Sequence, residues 1–252
     1  MTTGPVLVDT ADGVVTLTLH RPEARNAMNT AMREALIDAL RSADADPAVA
    51  AVIITGTDPV FSAGADLKES LVNGLPPRPR TNVGQAVRGV AVPVLCAVNG
   101  ACVTGALELA LSASFIVASE HARFADTHAR VGLLPGWGMS ALLPRAVGVR
   151  VARQMTATGN FVDAAEALRI GLVNEVVPHH QLLPHARQLA ADITSADRAA
   201  VRASLALYDR GDGATLAHAL GLEAEAVANW HLDPAAVRDR FATTIQRGSA
   251  RS

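Results

Sequence analysis

The strongest constraint on the fold of this chain is an alternation of short β-branched runs with stretches whose apolar residues recur at helical spacing. Val14-Val15-Thr16-Leu17-Thr18-Leu19 reads as a strand, and Asp12-Gly13 before it as a hairpin turn. From Thr30 to Ala45, the positions Met32, Ala35, Leu36, Ala39 and Leu40 form one helical stripe. Ala51-Val52-Ile53-Ile54 is a short buried strand ending at Gly56, and Val92 to Val98 and Phe115 to Ala118 are two more. Residues 105–112 and 139–147 are the helices that follow the later strands. This order predicts an α/β core. Neither an internal repeat nor a low-complexity tract interrupts it.

Beyond Pro178 the pattern turns continuously helical, over about 181–194, 197–209, 214–231 and 234–247, with helix starts at Asp197 and at Asp233-Pro234. The expected division is a core over 1–194 and a helical segment over 195–252. Leu216, Leu220, Leu222, Val227 and Trp230 of that segment need burial somewhere. Lys68 to Gln85 holds Gly74, Pro76, Pro77 and Pro79 with little periodicity, and reads as a surface loop.

A length of 252 residues suits one sizeable core with an appendage. Half the residues are hydrophobic but only 3% are aromatic, so Ala, Val, Leu and Ile must fill that core. The formal charge of −2 argues against a general polyanion binder. Cys96 and Cys102, the only cysteines, are spaced neither as a disulfide framework nor as a metal site, and read as small buried hydrophobes. The adjacent His179-His180 reads as surface, not as a ligand pair. No apolar run approaches the roughly 20 residues that span a bilayer, and Met1 to Val8 lacks the pattern of a signal peptide. These features predict a soluble, cytoplasmic protein.

Two segments end an apolar run in small residues and then place a carboxylate: Phe61-Ser62-Ala63-Gly64-Ala65-Asp66 and Asn99-Gly100-Ala101-Cys102-Val103-Thr104-Gly105-Ala106-Leu107-Glu108. Gly105 has no Cβ to hold a ligand away from the backbone. A helix starting there leaves its first N–H groups free to meet a negative oxygen. Glu108 follows within one turn, in reach of a proton beside that charge. The alternative for both segments is tight turns that serve packing, and for Glu108 a charge that merely complements the helix N-terminus.

Six segments in order resemble the enoyl-CoA hydratase/isomerase (crotonase) superfamily over almost the whole chain. They are Arg21-Pro22 through Arg25-Asn26-Ala27-Met28-Asn29; Gly64-Ala65-Asp66-Leu67-Lys68; Ala97-Val98-Asn99-Gly100 into Gly105 and Glu108-Leu109-Ala110; Gly132-Leu133-Leu134-Pro135-Gly136; Leu142 to Gly148; and Ala167 to Val173. The resemblance implies an α/β spiral of ββα turns with a C-terminal helical subdomain that assembles trimers or dimers of trimers.

It further implies that the backbone N–H groups of Ala65 and Gly105 hold the thioester oxygen of an acyl-CoA as an enolate forms. Thr104 and Ala106 flank Gly105 where relatives often carry glycines, but the middle glycine remains. Glu108 matches the first of two glutamates in the hydratases and would deprotonate the water that adds to the β-carbon. The second glutamate is absent. His128 stands in its place, either as the proton donor to the α-carbon or as a polar wall. Asp126, two residues away, shares the direction of His128 only in a strand or loop.

Gly136 matches a backbone donor that helps hold the attacking water. Trp137, beside it, either narrows the acyl pocket or anchors the core. Arg25, Ala27, Ala63, Asp66, Leu67 and Lys68 stand at positions that meet the CoA, and Phe241 resembles an aromatic that closes the adenine pocket of an adjacent subunit. No metal or redox cofactor is implied, because CoA arrives as part of the substrate. The expected activity is reversible hydration of 2-enoyl-CoA. The alternatives are isomerisation or another enolate reaction, and an acyl-CoA-binding protein with little turnover.

Overall fold

The computed structural model describes residues 4–73 and 82–241. Contacts divide the chain into Met1–Arg202 and Ala203–Ser252. The first unit opens with β1 (Val6–Ala11) and β2 (Val14–Leu19), an antiparallel hairpin turned by Asp12 and Gly13, both at positive φ. Helix α1 (Thr30–Ala45) is capped by Asn29, whose side chain accepts the Met32 N–H at 2.9 Å. Strand β3 (Ala51–Gly56) follows. Helices α2 (Leu67–Asn73) and α3 (Val83–Arg88) precede β4 (Val94–Val98), β5 (Ala101–Val103) and α4 (Gly105–Leu111). Then come β6 (Phe115–Ser119), β7 (Arg123–Ala125), α5 (Met139–Val147), α6 (Val149–Thr158), β8 (Val162–Asp163), α7 (Ala164–Arg169), β9 (Glu175–Val177) and α8 (Leu182–Thr194).

The larger sheet has the order β1-β2-β3-β4-β6-β9, parallel throughout except for the first pair. Its central strands are apolar on consecutive residues because both faces are covered. Val52, Ile54, Cys96 and Val98 enter the main core, while Ala51, Ile53, Leu95 and Ala97 pack with Leu182, Ala186 and Ala190 of α8. Burial pushes the Cys96 and Cys102 thiols up, the latter also through its neighbour, in keeping with two small core side chains.

A second layer positions the site. Strands β5, β7 and β8 form a small sheet, and parallel bridges Ser62↔Cys102 and Met28↔Ala65 extend it to segments that follow β3 and β2. Each turn of the chain thus contributes a strand to the large sheet, a short segment to the second layer, and then a helix. This is the expected ββα spiral. Asn26, fully buried at positive φ, locks its first turn: Nδ2 donates to the carbonyls of Thr57 and Val60, and Oδ1 accepts the Arg21 N–H.

The loop expected over Lys68 to Gln85 needs correction at both ends. Asp66 Oδ1 accepts the N–H groups of Lys68 and Glu69, which starts α2, and Asn82 accepts the Gln85 N–H, which starts α3. These side-chain caps outweigh the weak apolar periodicity. The proline-rich stretch of that segment, 74–81, lies outside the described residues.

Helix α9 (Arg198–Gly211) carries the boundary between the two units, which the sequence reading set at 194/195. In the second unit, α10 (Leu216–Ala228) is capped by Thr215 and has no buried residue, and a further helix runs over 234–241. No helix among the described residues is long and apolar enough to cross a membrane.

Candidate active site

Three neighbouring second-layer segments end side by side, so the residues after each of them converge. The parallel bridge to Met28 sets Ala65. The Met28 N–H donates to Gly64 O at 2.8 Å, and the Asp66 N–H donates to Met28 O at 3.1 Å. Alternation along an extended segment turns the Ala65 N–H the other way, toward the start of α4. There the chain turns at Thr104, with φ 49° and ψ −113°, and Gly105 becomes the first helical residue. A methyl group built on Gly105 would lie 3.3 Å from the Ala65 nitrogen, and one built on Gly64 would lie 3.1 Å from the Gly105 nitrogen. The two N–H groups are therefore neighbours, and neither has a hydrogen-bond partner among the described residues. Close approach requires glycine at both positions: the Gly64 methyl would also meet Thr104 Oγ1 at 2.3 Å, and Gly64 has φ 91°. Thr104, a β-branched residue at positive φ with no side-chain cap bond, stores backbone strain beside the two donors.

Glu108 sits one turn into α4 and is 2% exposed. A carboxylate at that depth requires hydrogen bonds. Oε1 accepts the N–H groups of Trp137 at 2.7 Å and Met139 at 3.1 Å. Oε2 is turned to His128, whose Nε2 lies 3.5 Å away. The strand-to-helix change at 126–128 brings Asp126 onto the other side of that ring. Asp126 follows β7, His128 opens a 3-10 turn (His128–Val131), and Asp126 Oδ1 accepts both the His128 N–H and Nδ1–H, the latter at 2.7 Å. Asp126 Oδ2 accepts Thr156 Oγ1–H of α6 at 2.7 Å. Burial works against the charge of Asp126, but the bonds from His128 and Thr156 outweigh it and hold the carboxyl below the usual range.

The Trp137 ring lies against the Cα face of Gly105, where a methyl group would meet its atoms at 2.7 and 3.1 Å. It is buried, and its carbonyl accepts a long 3.4 Å bond from Arg88, which also donates to Ser112 Oγ. The ring thus borders the paired N–H groups as well as the core. Gly136 is exposed, and its carbonyl accepts Asn82 Nδ2–H at 3.3 Å.

Among the residues expected to meet CoA, Arg25, Ala63, Leu67 and Lys68 are exposed, and neither Arg25 nor Lys68 has an ion-pair partner among the described residues. Ala27 is buried, and its carbonyl accepts Arg21 Nη1–H at 2.6 Å. Asp66 is occupied on both oxygens, by the α2 N–H groups and by Arg21 at 2.9 Å. Partial burial opposes its charge, and Arg21 with the backbone donors more than compensates, lowering its pKa. Phe241, in the second unit, is exposed. His179 is less simply a surface residue than expected: it stacks on His121 and bonds Ser119.

The Trp137 and Met139 N–H donors and Thr156 were not anticipated from sequence. A backbone N–H leaves no residue-type signal, and Thr156 lies thirty positions from its partner. Asp126 carried a signal, the Asp-x-His spacing, but its use depended on the local backbone.

The enoyl-CoA hydratase/isomerase family model matches residues 9–231. A probable enoyl-CoA hydratase of Mycobacterium leprae is 37% identical over 218 residues, covering 85% of this chain and 85% of that protein. A crotonyl-CoA hydratase of Syntrophomonas wolfei is 35% identical over 227 residues, covering 88% and 87%. The crystal structure of an enoyl-CoA hydratase from Mycobacterium tuberculosis H37Rv superposes with a TM-score of 0.77 at 52% identity, covering 89% of this chain and 96% of that one. With its spiral fold and its paired N–H groups beside a buried glutamate, this chain belongs to the enoyl-CoA hydratase/isomerase family.

Proposed function

We propose that the protein is an enoyl-CoA hydratase that adds water reversibly across the double bond of a 2-enoyl-CoA thioester. The observation that carries this reading is the pairing of two free N–H groups with a buried carboxylate one turn away that faces an imidazole at 3.5 Å. The Ala65 and Gly105 N–H groups receive the thioester oxygen and stabilise the charge that develops there. Such a donor is worth about 3–4 kcal/mol in the transition state. Glu108, oriented by Trp137 and Met139, removes a proton from water as its oxygen bonds to the β-carbon. His128 Nε2–H delivers the α-carbon proton, and the Gly136 N–H helps hold the water. Trp137 forms a wall of the acyl pocket.

CoA enters as part of the substrate and no other cofactor is needed. Arg25 and Lys68 supply cations for its phosphates, and Ala27, Ala63, Asp66 and Leu67 line its path through backbone groups and short side chains. The exposed apolar residues of the second unit suit a homotrimer or dimer of trimers, with Phe241 closing a neighbour's adenine pocket. A cytoplasmic location fits this chemistry.

The test is purified protein with crotonyl-CoA and longer 2-enoyl-CoAs, followed by loss of the conjugated chromophore. Hydration consumes it, and His128→Ala slows the loss while His128→Glu preserves or restores it. An unchanged absorbance with every chain length would defeat the hydratase reading and favour isomerisation, another enolate reaction or binding without turnover.

A further inference from the structure

Two side chains without an expected role complete a chain of contacts behind the reacting groups: Thr156 Oγ1–H to Asp126 Oδ2, Asp126 Oδ1 to His128 Nδ1–H, and His128 Nε2 to Glu108 Oε2. We propose that Asp126, anchored by Thr156, is a positioning residue that holds the His128 ring with Nδ1 as donor and Nε2 directed at substrate and Glu108, so that a proton passes between Glu108 and His128 in every turnover. This inference rests on the hydratase reading and on His128 as the α-carbon donor.

The geometry requires some such device. An imidazole on a short 3-10 turn is free to rotate and exchange tautomers unless one nitrogen is committed. The Asp126 carboxylate is fully buried, lies 2.7 Å from Nδ1, and also accepts the backbone N–H of the same residue, so it orients the ring and its turn together. Thr156, from a different helix, takes the other oxygen and prevents the carboxylate from rotating. Among the described residues, the charged groups in contact with the ring are Asp126 on one side and Glu108 of α4 on the other. The cations of α6, Arg150 and Arg153, are exposed, and Arg130 of the ring's own turn bonds Thr158 and Asn160.

The proton balance calls for a return path. In the forward reaction the water oxygen bonds to the β-carbon and its proton goes to Glu108. The Nε2–H bond breaks as its proton joins the α-carbon. One water is thereby added, but Glu108 is left protonated and His128 neutral. Transfer from Oε2 to Nε2, 3.5 Å apart in the resting enzyme, restores both groups with no other reactant. Asp126 keeps Nε2 as the acceptor, because Nδ1 is already committed to its own proton.

The experiment measures kcat, KM and pH profiles for crotonyl-CoA hydration in His128→Ala, Asp126→Asn, Thr156→Val and Thr156→Ser. Asp126→Asn should lower kcat about 10- to 100-fold with KM within about twofold of wild type. Its pH profile should also differ from that of wild type, since the anion beside the ring is removed. Thr156→Val should lower kcat less, and Thr156→Ser should restore it by returning the hydroxyl. If His128→Ala is slow while Asp126→Asn keeps the wild-type kcat and pH profile, the positioning role is overturned and the hydratase reading stands. An unmoved pH profile in Asp126→Asn, with Thr156→Ser as impaired as Thr156→Val, would reduce both residues to packing and likewise overturn it. An undiminished rate in His128→Ala would overturn it too, by removing His128 as the α-carbon donor, while the hydratase reading stands.

Discussion

Helices α4 and α10 are similar in composition and opposite in fate. Both are short, rich in Ala and Leu, and interrupted by glutamate: Glu108 in one, Glu223 and Glu225 in the other. In α4 every residue from Gly105 to Ala110 is buried, the glutamate included, whereas α10 has no buried residue. The difference lies in what precedes each helix. Helix α4 follows a strand of the second layer, which delivers it into the core between the strands and α5. Helix α10 follows a solvent-exposed turn capped by Thr215. Apolar composition therefore states that burial is favourable without saying what supplies it. In α4 the supply is the same chain, and the buried glutamate is matched by two N–H donors. In α10 the chain itself supplies none among the described residues, and Leu216, Leu220 and Val227 stay exposed.

The comparison breaks first at Glu108. In Glu108→Gln the amide oxygen can still accept from Trp137 and Met139, so the fold is kept while the base is lost. Turnover of crotonyl-CoA should fall by about 10²-fold or more with acyl-CoA binding retained. Steady-state kinetics with a parallel binding titration check this, and an unaffected kcat would return Glu108 to a charge that merely caps a helix.

A smaller loss is expected in Gly105→Ala. The added methyl would press on the Trp137 ring at 2.7 Å and approach the Ala65 nitrogen at 3.3 Å, between the two donors. A fall in kcat/KM of about 10²-fold in protein that is still fully folded at the assay temperature, even with unfolding shifted down by the displaced ring, would place the damage at the paired N–H groups. A wild-type rate would show that the small residue serves packing alone.

The smallest catalytic effect belongs to α10. Leu220→Asp puts a charge on its apolar face and should shift the protein from an oligomer toward monomer in sedimentation velocity. KM for crotonyl-CoA should rise several-fold while kcat stays within about twofold, because α4 and its partners lie in the first unit. A monomeric wild-type protein with full activity would separate the exposed face from CoA binding.

How far the sequence could be read differs in the same way between the two regions. Four of the six large-sheet strands, β2, β3, β4 and β6, were legible because burial on both faces makes them largely apolar runs, and α1 because its stripe is long. The edge strands β1 and β9 are mostly exposed or half-buried and carry no such run. The second-layer strands were not legible either. β5 and β7 have three residues each, too few to show a period, and they are strands only because neighbours pair with them. Helices α2 and α3 were hidden within an aperiodic segment because their signals are single capping side chains, Asp66 and Asn82.

By itself the sequence determined the α/β alternation, the small residues at Gly64 and Gly105 and the glutamate one turn beyond. These are local properties of spacing and side-chain size. Only the tertiary structure decided that the Ala65 and Gly105 N–H groups are neighbours, that Glu108 is held by the backbone of Trp137 and Met139, and that Asp126 and Thr156 stand behind His128. The two N–H groups are brought together by parallel segments ending at one level, and the partners of Glu108 and His128 by α5 and α6 packed against α4 and the 3-10 turn. Such pairings join residues far apart in the chain, in part through backbone groups that every residue type carries alike.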